Sequence, residues 1–326
     1  MSRRLSIAHS MIVFAFILAS SGCSSATTSN LVPKSDVAGI RERPQAIGSW
    51  TTKAPMLKAR NGPSAGVING RLYAVGGIGR CCLMNSLEVY DPATNSWTAK
   101  ASMRIARFAS AASVINGRLY VVGGTSDLHN FVLSNKLEVY DPASDTWTNK
   151  ASMPTKRAGL AAGVINGILY AIGGCCNSEG NLRKVEAYNP ATNTWTTKAP
   201  MLQRSNYLAA GVVNGILYAI GGRYDAGGTL EAYDPATNRW NFKSDMPTRR
   251  CCLAAGVVNG ILYAVGGSDF GSTLEAYDPA TNTWTTEAPM PTAREFLAAG
   301  VVKGLLYAIG GSGFGDGNTV EAFNPH

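Results

Sequence analysis

A pair of glycines recurs six times along this 326-residue chain, at Gly76-Gly77, Gly123-Gly124, Gly173-Gly174, Gly221-Gly222, Gly266-Gly267 and Gly310-Gly311. The intervals are 47, 50, 48, 45 and 44 residues. A period of that size restricts the chain to solenoids, propellers or arrays, in which each unit buries its apolar face against the next. Inside the unit the spacing is rigid. Trp50, Trp97, Trp147, Trp195, Trp240 and Trp284 are each followed six residues later by Met56, Met103, Met153, Met201, Met246 or Met290. Ten residues on stands Gly66, Ser113, Gly163, Gly211, Gly256 or Gly300, and ten further the diglycine. Length varies only between the diglycine and the next aromatic residue, at 13, 16, 14, 11, 10 and 12 residues. Strands keep register because a one-residue slip turns a buried face outward, whereas loops absorb insertions and carry function. Comparing the copies therefore separates scaffold from candidate site.

Each unit reads as four short strands. The first, Ala-Ala-Gly-Val-Val in the cleanest copy, runs into Asn-Gly at Asn69, Asn116, Asn166, Asn214 and Asn259, the strongest hairpin signal because both turn positions need positive φ; Lys303-Gly304 is the degraded copy. An aliphatic-Tyr strand returns to the diglycine, a third carries Leu-Glu-Ala-Tyr or a variant, and an Asp-Pro-Ala-Thr-Asn turn leads into the fourth, which holds the tryptophan. Small residues in the first strand suit the crowded axis of a closed ring. The repeated Tyr and Trp supply area for packing between units. No helical period of any length follows residue 22, so the expected class is all-β.

The diglycine after an aliphatic-Tyr strand, the Tyr-Asp-Pro and the tryptophan a few residues on resemble the kelch repeat, six times over from roughly residue 48 to 325. The resemblance implies a β-propeller with one four-stranded blade per repeat, here six-bladed. The repeat region opens on a lone fourth strand around Trp50 and stops at Phe323-Asn324-Pro325-His326, just after a third strand. The Trp50 strand is therefore expected to complete the last blade, closing the ring and leaving no open edge, in one domain over 48–326.

Ahead of the repeats, Arg3-Arg4 and the apolar run Met11 to Ala19 read as an export signal over 1–22. Ser21-Gly22-Cys23 resembles the bacterial lipoprotein cleavage box, with Ser20 where that box usually has Leu; the resemblance implies lipidation at Cys23, and ordinary signal-peptidase cleavage near Ala19 or Ser21 is the alternative. Residues 23–47, Ser/Thr-rich and without alternation, read as a flexible tether. The expected location is the outer membrane or periplasm as a lipoprotein, otherwise secreted, with membrane contact through the lipid alone.

In an antiparallel blade the loop after the diglycine and the connection between blades share one face, and both vary here. The connections carry Arg60, Arg107, Arg157, Arg250 and Arg294 four residues after Met, with Arg204 displaced by one. Their neighbours differ: Asn61, Phe108, Asn206-Tyr207, Cys251-Cys252 and Glu295-Phe296. A ring of guanidiniums among aromatics and amides suits carboxylates or sugars. The regular recurrence equally suits scaffold, each Arg pairing with Glu88, Glu138, Glu186, Glu231, Glu275, Glu321 or backbone carbonyls. His129 and Tyr224 in the variable loops complete the candidate ligand-binding set.

Six of the seven cysteines form the adjacent pairs Cys81-Cys82, Cys175-Cys176 and Cys251-Cys252, all on that same face. They are candidates for vicinal disulfides, free thiols, or a thiolate metal or redox site; adjacency is not the spacing of a zinc site. Enzyme chemistry has little support, with only three histidines, His9, His129 and His326, and no nucleophile elbow or phosphate loop. No cofactor or metal is expected. The net charge of +8 is spread without a dense basic run, so nucleic acid is not an expected partner. The reading is a monomeric binding module for protein or glycan. A periplasmic sugar-converting enzyme of the sialic-acid mutarotase type is the alternative that the family resemblance leaves open, with Asp225, Asp269, Glu295 and Asp316 as its carboxylates.

Overall fold

A computed structural model of the chain describes residues 48–176, 180–223, 228–268, 271–313 and 317–325. The signal, the tether, Cys23, Tyr224, Asp225, Asp269, Asp316, His326 and the side chain of Cys176 lie outside the described residues.

Six four-stranded antiparallel sheets follow one another, all built alike, and no helix occurs among the described residues. Blade one is Ser64–Ile68, Arg71–Val75, Leu87–Asp91 and Ser96–Lys100, paired in that order. The Asn-Gly hairpins form as expected, with Asn69, Asn116, Asn166, Asn214 and Asn259 and the degraded Lys303 all at φ near +50°. Blade six takes Ala298–Val302, Leu305–Ile309 and Val320–Asn324 from the C-terminal end and Ser49–Thr52 from the other, with Trp50 opposite Phe323.

The closing strand repeats the interaction that the other outer strands make. Each tryptophan donates its indole N–H to a carbonyl at the entry of its own blade or the one before: Trp97 to Ala54 at 2.9 Å, Trp147 to Ala101 at 2.7 Å, and Trp50 to Ala288 at 2.8 Å. One departure has a simple cause. Tyr90, Tyr140, Tyr188, Tyr233 and Tyr277 each donate a hydroxyl to the Asn or Asp of the following turn. Blade six has no such turn, because its outer strand arrives from the other end of the chain, and there the residue is Phe323.

Apolar clusters fill the spaces between neighbouring blades, such as that joining Tyr307, Ile309 and Val320 of blade six to Leu72 and Tyr90 of blade one around Met56. The small residues of the innermost strands answer to this packing rather than to crowding at the axis. A Cβ on Gly66 would lie 2.5 Å from Leu119 of the next blade, on Gly211 2.4 Å from Leu262, and on Gly300 2.5 Å from Leu72. A leucine from each following blade occupies the space that a side chain would need.

The five repeated arginines are buried scaffold, which corrects the reading that placed them as anion anchors at the surface. Arg60, Arg107, Arg157 and Arg294 are at most 1% exposed, and each faces the glutamate of its own third strand. Arg60 meets Glu88 at 2.8 Å, Arg157 meets Glu186 at 2.9 Å and Arg294 meets Glu321 at 2.8 Å; Arg107 pairs with Glu138 and Arg250 with Glu275. The guanidiniums also bond loop carbonyls, as Arg60 Nη1 does to Gly76 and Ser86 at 2.9 Å, while the Nε of Arg60, Arg107 and Arg157 has no partner. Burial pulls the guanidinium pKa values down, to about 10 for Arg157, and the adjacent carboxylates oppose it. A charge so enclosed cannot meet a ligand.

Blade four lacks this pair. Ser205 stands at the arginine's position, its hydroxyl on the Gly221 carbonyl at 3.0 Å, while the displaced Arg204 is exposed. Glu231 accepts instead from the backbone N–H of Leu202 at 2.7 Å and Gln203 at 2.8 Å, beside a void of about 10 Å³. Burial raises the Glu231 pKa, so its ionisation works against the folded state as pH rises through the folded value.

Two stability predictions result. Trp50→Ala should cost about 3 kcal/mol, read as a lower urea midpoint for the whole domain; an unchanged midpoint would show that the ring does not depend on this strand. Glu138→Gln should cost about 3 to 5 kcal/mol by stranding the Arg107 charge, whereas Glu231→Gln should cost no more than about 1 kcal/mol at neutral pH. Equal losses at the two positions would contradict the difference between the blades.

Candidate functional site

The residue two places after each arginine position sits on a common ring: Gly62, Ala109, Gly159, Tyr207, Cys252 and Phe296. All six are in the left-handed region, with φ between 51° and 63°. Glycine adopts this conformation freely; Ala, Tyr, Cys and Phe do so at a cost of about 1–3 kcal/mol each, and such residues cluster at functional sites. The ring is stitched by backbone hydrogen bonds running from one blade to the next. Gly159 donates to Ala109 at 2.9 Å, Tyr207 to Gly159 at 2.7 Å, Cys252 to Tyr207 at 2.8 Å, Phe296 to Cys252 at 2.8 Å and Gly62 to Phe296 at 2.8 Å.

The ring borders a recess of about 100 Å³ to which every unit contributes, with Phe108, Tyr207, Cys252 and Phe296 on its wall and Leu160, Leu208, Leu253 and Leu297 among its lining. Its aromatic residues touch one another. Phe296 lies 5.9 Å from Phe108 and meets Tyr207 edge-on at 5.2 Å, centroid to centroid. Gly62 has to be glycine, because a Cβ there would come within 2.2 Å of the Phe108 ring. Just outside, the residue after each diglycine pairs with the connection: Asn61 with Ile78, Phe108 with Thr125, Ala158 with Cys175 and Asn206 with Arg223 as bridges, and Arg294–Glu295 with Ser312–Gly313 as a short ribbon. Variable loops and connections therefore share one face.

Of the expected ligand-binding residues, Phe108, Tyr207 and Phe296 come together at the recess. Asn206 lies beside it, 7% exposed, with its side-chain carbonyl oxygen lacking a partner. Glu295 sits on the rim ribbon. His129 is exposed in the longest loop, its backbone N–H on Asp127 at 2.8 Å, and is not part of the recess wall. The five arginines are buried beneath, in the pairs already described.

Arg223 was missed as a site residue. Its guanidinium lies 5.6 Å from the Tyr207 ring centre. The signal was available: the position after the diglycine reads Ile78, Thr125, Cys175, Arg223, Ser268 and Ser312, as varied as the connections it pairs with. Burial and the nearby Cys175 and Cys252 push the Tyr207 phenol up to about 12, so Tyr207 is neutral at physiological pH.

No vicinal disulfide is formed in the two fully described cysteine pairs. The sulfurs are 3.1 Å apart in Cys81-Cys82 and 3.0 Å apart in Cys251-Cys252, well beyond the disulfide bond length of about 2.05 Å. Cys175 is also a free thiol, on the strand pairing with Gly180–Asn181. No group of three or more metal-ligating side chains gathers among the described residues.

Comparison with known proteins agrees with this architecture. A solved structure of YjhT superposes with a TM-score of 0.70 at 17% sequence identity, covering 82% of this chain and 95% of that one, a likeness of fold. No curated protein matches by sequence. The family model for the KLHDC2/KLHL20/DRC7 Kelch-repeats domain matches residues 105–267, and that for the Kelch motif matches 59–104 and 249–291. Half the chain falls under the first model and both its flanks under the second, and the chain belongs to the kelch-repeat family.

Proposed function

We propose that this propeller is a binding module whose ligand seats on the axial recess of the variable face. The observation that carries this reading is the ring itself. Three large or reactive side chains, Tyr207, Cys252 and Phe296, are held in a backbone conformation that costs stability, at the one place where all six blades meet. The interior needs none of them there, since the same ring position is glycine in two units. The exposed edges of Tyr207 and Phe296 and the guanidinium of Arg223 offer an apolar seat beside a cation.

A recess of about 100 Å³ takes one side chain or the edge of a ring rather than a whole oligosaccharide. The reading is therefore a partner protein that inserts an apolar side chain, or a glycan that lays one sugar face on the aromatics. Among the described residues no carboxylate lines the recess; Asp225, Asp269 and Asp316 lie outside them. Export directed by the 1–22 signal, with lipidation at Cys23 and the 23–47 tether, would attach such a module to a membrane surface.

Tyr207→Ala and Phe296→Ala should each weaken ligand binding by about 1 kcal/mol or more, roughly fivefold, measured against a glycan array or by pull-down from a periplasmic extract. Thermal stability should change little, since the left-handed strain is retained and neither ring belongs to the interblade clusters. Substitutions at Asn214 and Asn259 in the hairpins of the opposite face are the control; if they abolish binding and the aromatic changes do not, the ligand uses the other face. Cys23→Ser should shift the protein from the membrane to the soluble fraction, and unchanged membrane partitioning with unchanged mass would exclude lipidation.

A further inference from the structure

Two vicinal cysteine pairs have almost the same sulfur separation, and their surroundings differ completely. Cys81 and Cys82 are exposed, 3.1 Å apart, in the loop of blade one. Cys251 and Cys252 are 7% and 4% exposed, 3.0 Å apart, and Cys252 lines the axial recess. The Cys251 sulfur lies against the Cys252 thiol, and the Arg223 guanidinium stands nearby, 5.6 Å from the centre of the Tyr207 ring. The Ser268 oxygen in turn accepts the Cys251 backbone N–H at 3.2 Å, which fixes the hydroxyl beside the sulfur. A thiol in contact with the sulfur and a cation close by favour a thiolate at Cys251. Electrostatics agree with the geometry: the hydrogen bond from Cys252, aided by Arg223, draws the Cys251 thiol down to about 6 against the effect of burial, and the same bond together with burial pushes Cys252 up. One cysteine is thus set to attack while its neighbour keeps its proton.

We propose that Cys251 and Cys252 form a dithiol centre for thiol–disulfide exchange, set at the side of the axial recess that Cys252 lines. In the first step the Cys251 thiolate attacks one sulfur of R–S–S–R. A bond forms between Cys251 and that sulfur, the R–S–S–R bond breaks, and RS⁻ leaves, taking up the proton of Cys252. In the second step the Cys252 thiolate attacks the Cys251 sulfur, closing the Cys251–Cys252 bond and expelling the second RS⁻. The protein loses two electrons and the substrate disulfide gains them. The product is readily reversed, because consecutive Cα atoms lie about 3.8 Å apart across a trans peptide, shorter than the usual disulfide range of about 4.4–6.8 Å, and strained disulfides are the reducible ones. The chemistry is independent of the macromolecular ligand proposed above, since a small disulfide suffices as substrate.

Trypsin should separate the three pairs, cutting after Arg80, Arg157 and Arg250, so that each is read in its own peptide. With the reduced full chain at pH 6.5, a short iodoacetamide pulse should label Cys251 roughly tenfold faster than Cys81 or Cys82, and Arg223→Gln should remove most of that advantage. Incubation with bis(2-hydroxyethyl) disulfide should remove the mass of two hydrogens from the peptide beginning at Cys251, release two thiols, and be reversed by dithiothreitol. Cys252→Ser should stop the reaction at a mixed disulfide on Cys251. Equal labelling rates in the Cys81 and Cys251 peptides, or a Cys251 peptide that keeps both hydrogens, would overturn the proposal. So would an internal bond there that dithiothreitol does not open. The wild-type arms decide the matter even if a variant fails to fold.

Discussion

The buried arginine–glutamate pair is the interaction on which the geometry of this propeller rests. In five units a guanidinium enters from the connection, meets the glutamate of the third strand and gathers the carbonyls of the diglycine loop. Its attachment point lies two residues before the axial ring. Fixing the arginine therefore fixes where the chain turns inward, and with it the positions of Phe108, Cys252 and Phe296. Such a pair contributes little net stability compared with an apolar replacement, because desolvating both charges offsets their attraction. Its value here is positional: the planar guanidinium satisfies several acceptors at defined angles, and no aliphatic side chain can do that.

Blade four shows what the pair does by lacking it. Glu231 remains, held by two backbone N–H groups, and Ser205 takes one of the carbonyl contacts. The connection still reaches the ring, and Tyr207 still bonds Gly159 and receives Cys252. Ring closure through the neighbouring blades is enough to hold one unit whose own clamp is missing. The interblade leucines, five of them seated over a glycine of the preceding blade, provide that lateral constraint.

Architecture was legible in the chain because it is repeated. Six copies of a diglycine, five Asn-Gly turns and a fixed spacing from Trp to Met leave little choice of fold, and the two incomplete ends complement each other in a way that can be read without coordinates. The significance of Phe323 in place of Tyr became plain only with the structure, where the turn that the tyrosines bond is missing from that blade. Repetition was less useful for the site. A repeated arginine reads equally as a symmetric anion ring or as scaffold, and the spacing does not say whether its side chain turns inward to Glu138 or outward to solvent. Arg223 escaped notice for the opposite reason: it occurs once, in a loop whose register with the connection depends on a backbone bridge to Asn206. The left-handed ring could not be inferred from residue type, since Tyr, Phe and Cys avoid that conformation when nothing compels it.

The same contrast bears on how a six-fold scaffold comes to hold a site without six-fold symmetry. Every interaction that closes the ring repeats from blade to blade, so none can distinguish one direction across the axial face from another. Distinction enters only where the repeat is broken. At the ring the backbone course is common to all units, and the side chains run Gly, Ala, Gly, Tyr, Cys, Phe. The small residues occupy the first half and the large ones the second, which gives the recess one low wall and one high one. Arg223, the Cys251 sulfur and Ser268 all lie on the high side, in the blades that supply Tyr207 and Cys252. Charge, polarisable sulfur and aromatic edges are thus gathered in one sector of an otherwise uniform ring. Because the hydrogen bonds between blades are made by backbone atoms, side chains in that sector can change without opening the ring. The strain of holding Tyr207, Cys252 and Phe296 at positive φ is borne by the closed scaffold beneath, whose clamps and leucines do not depend on them.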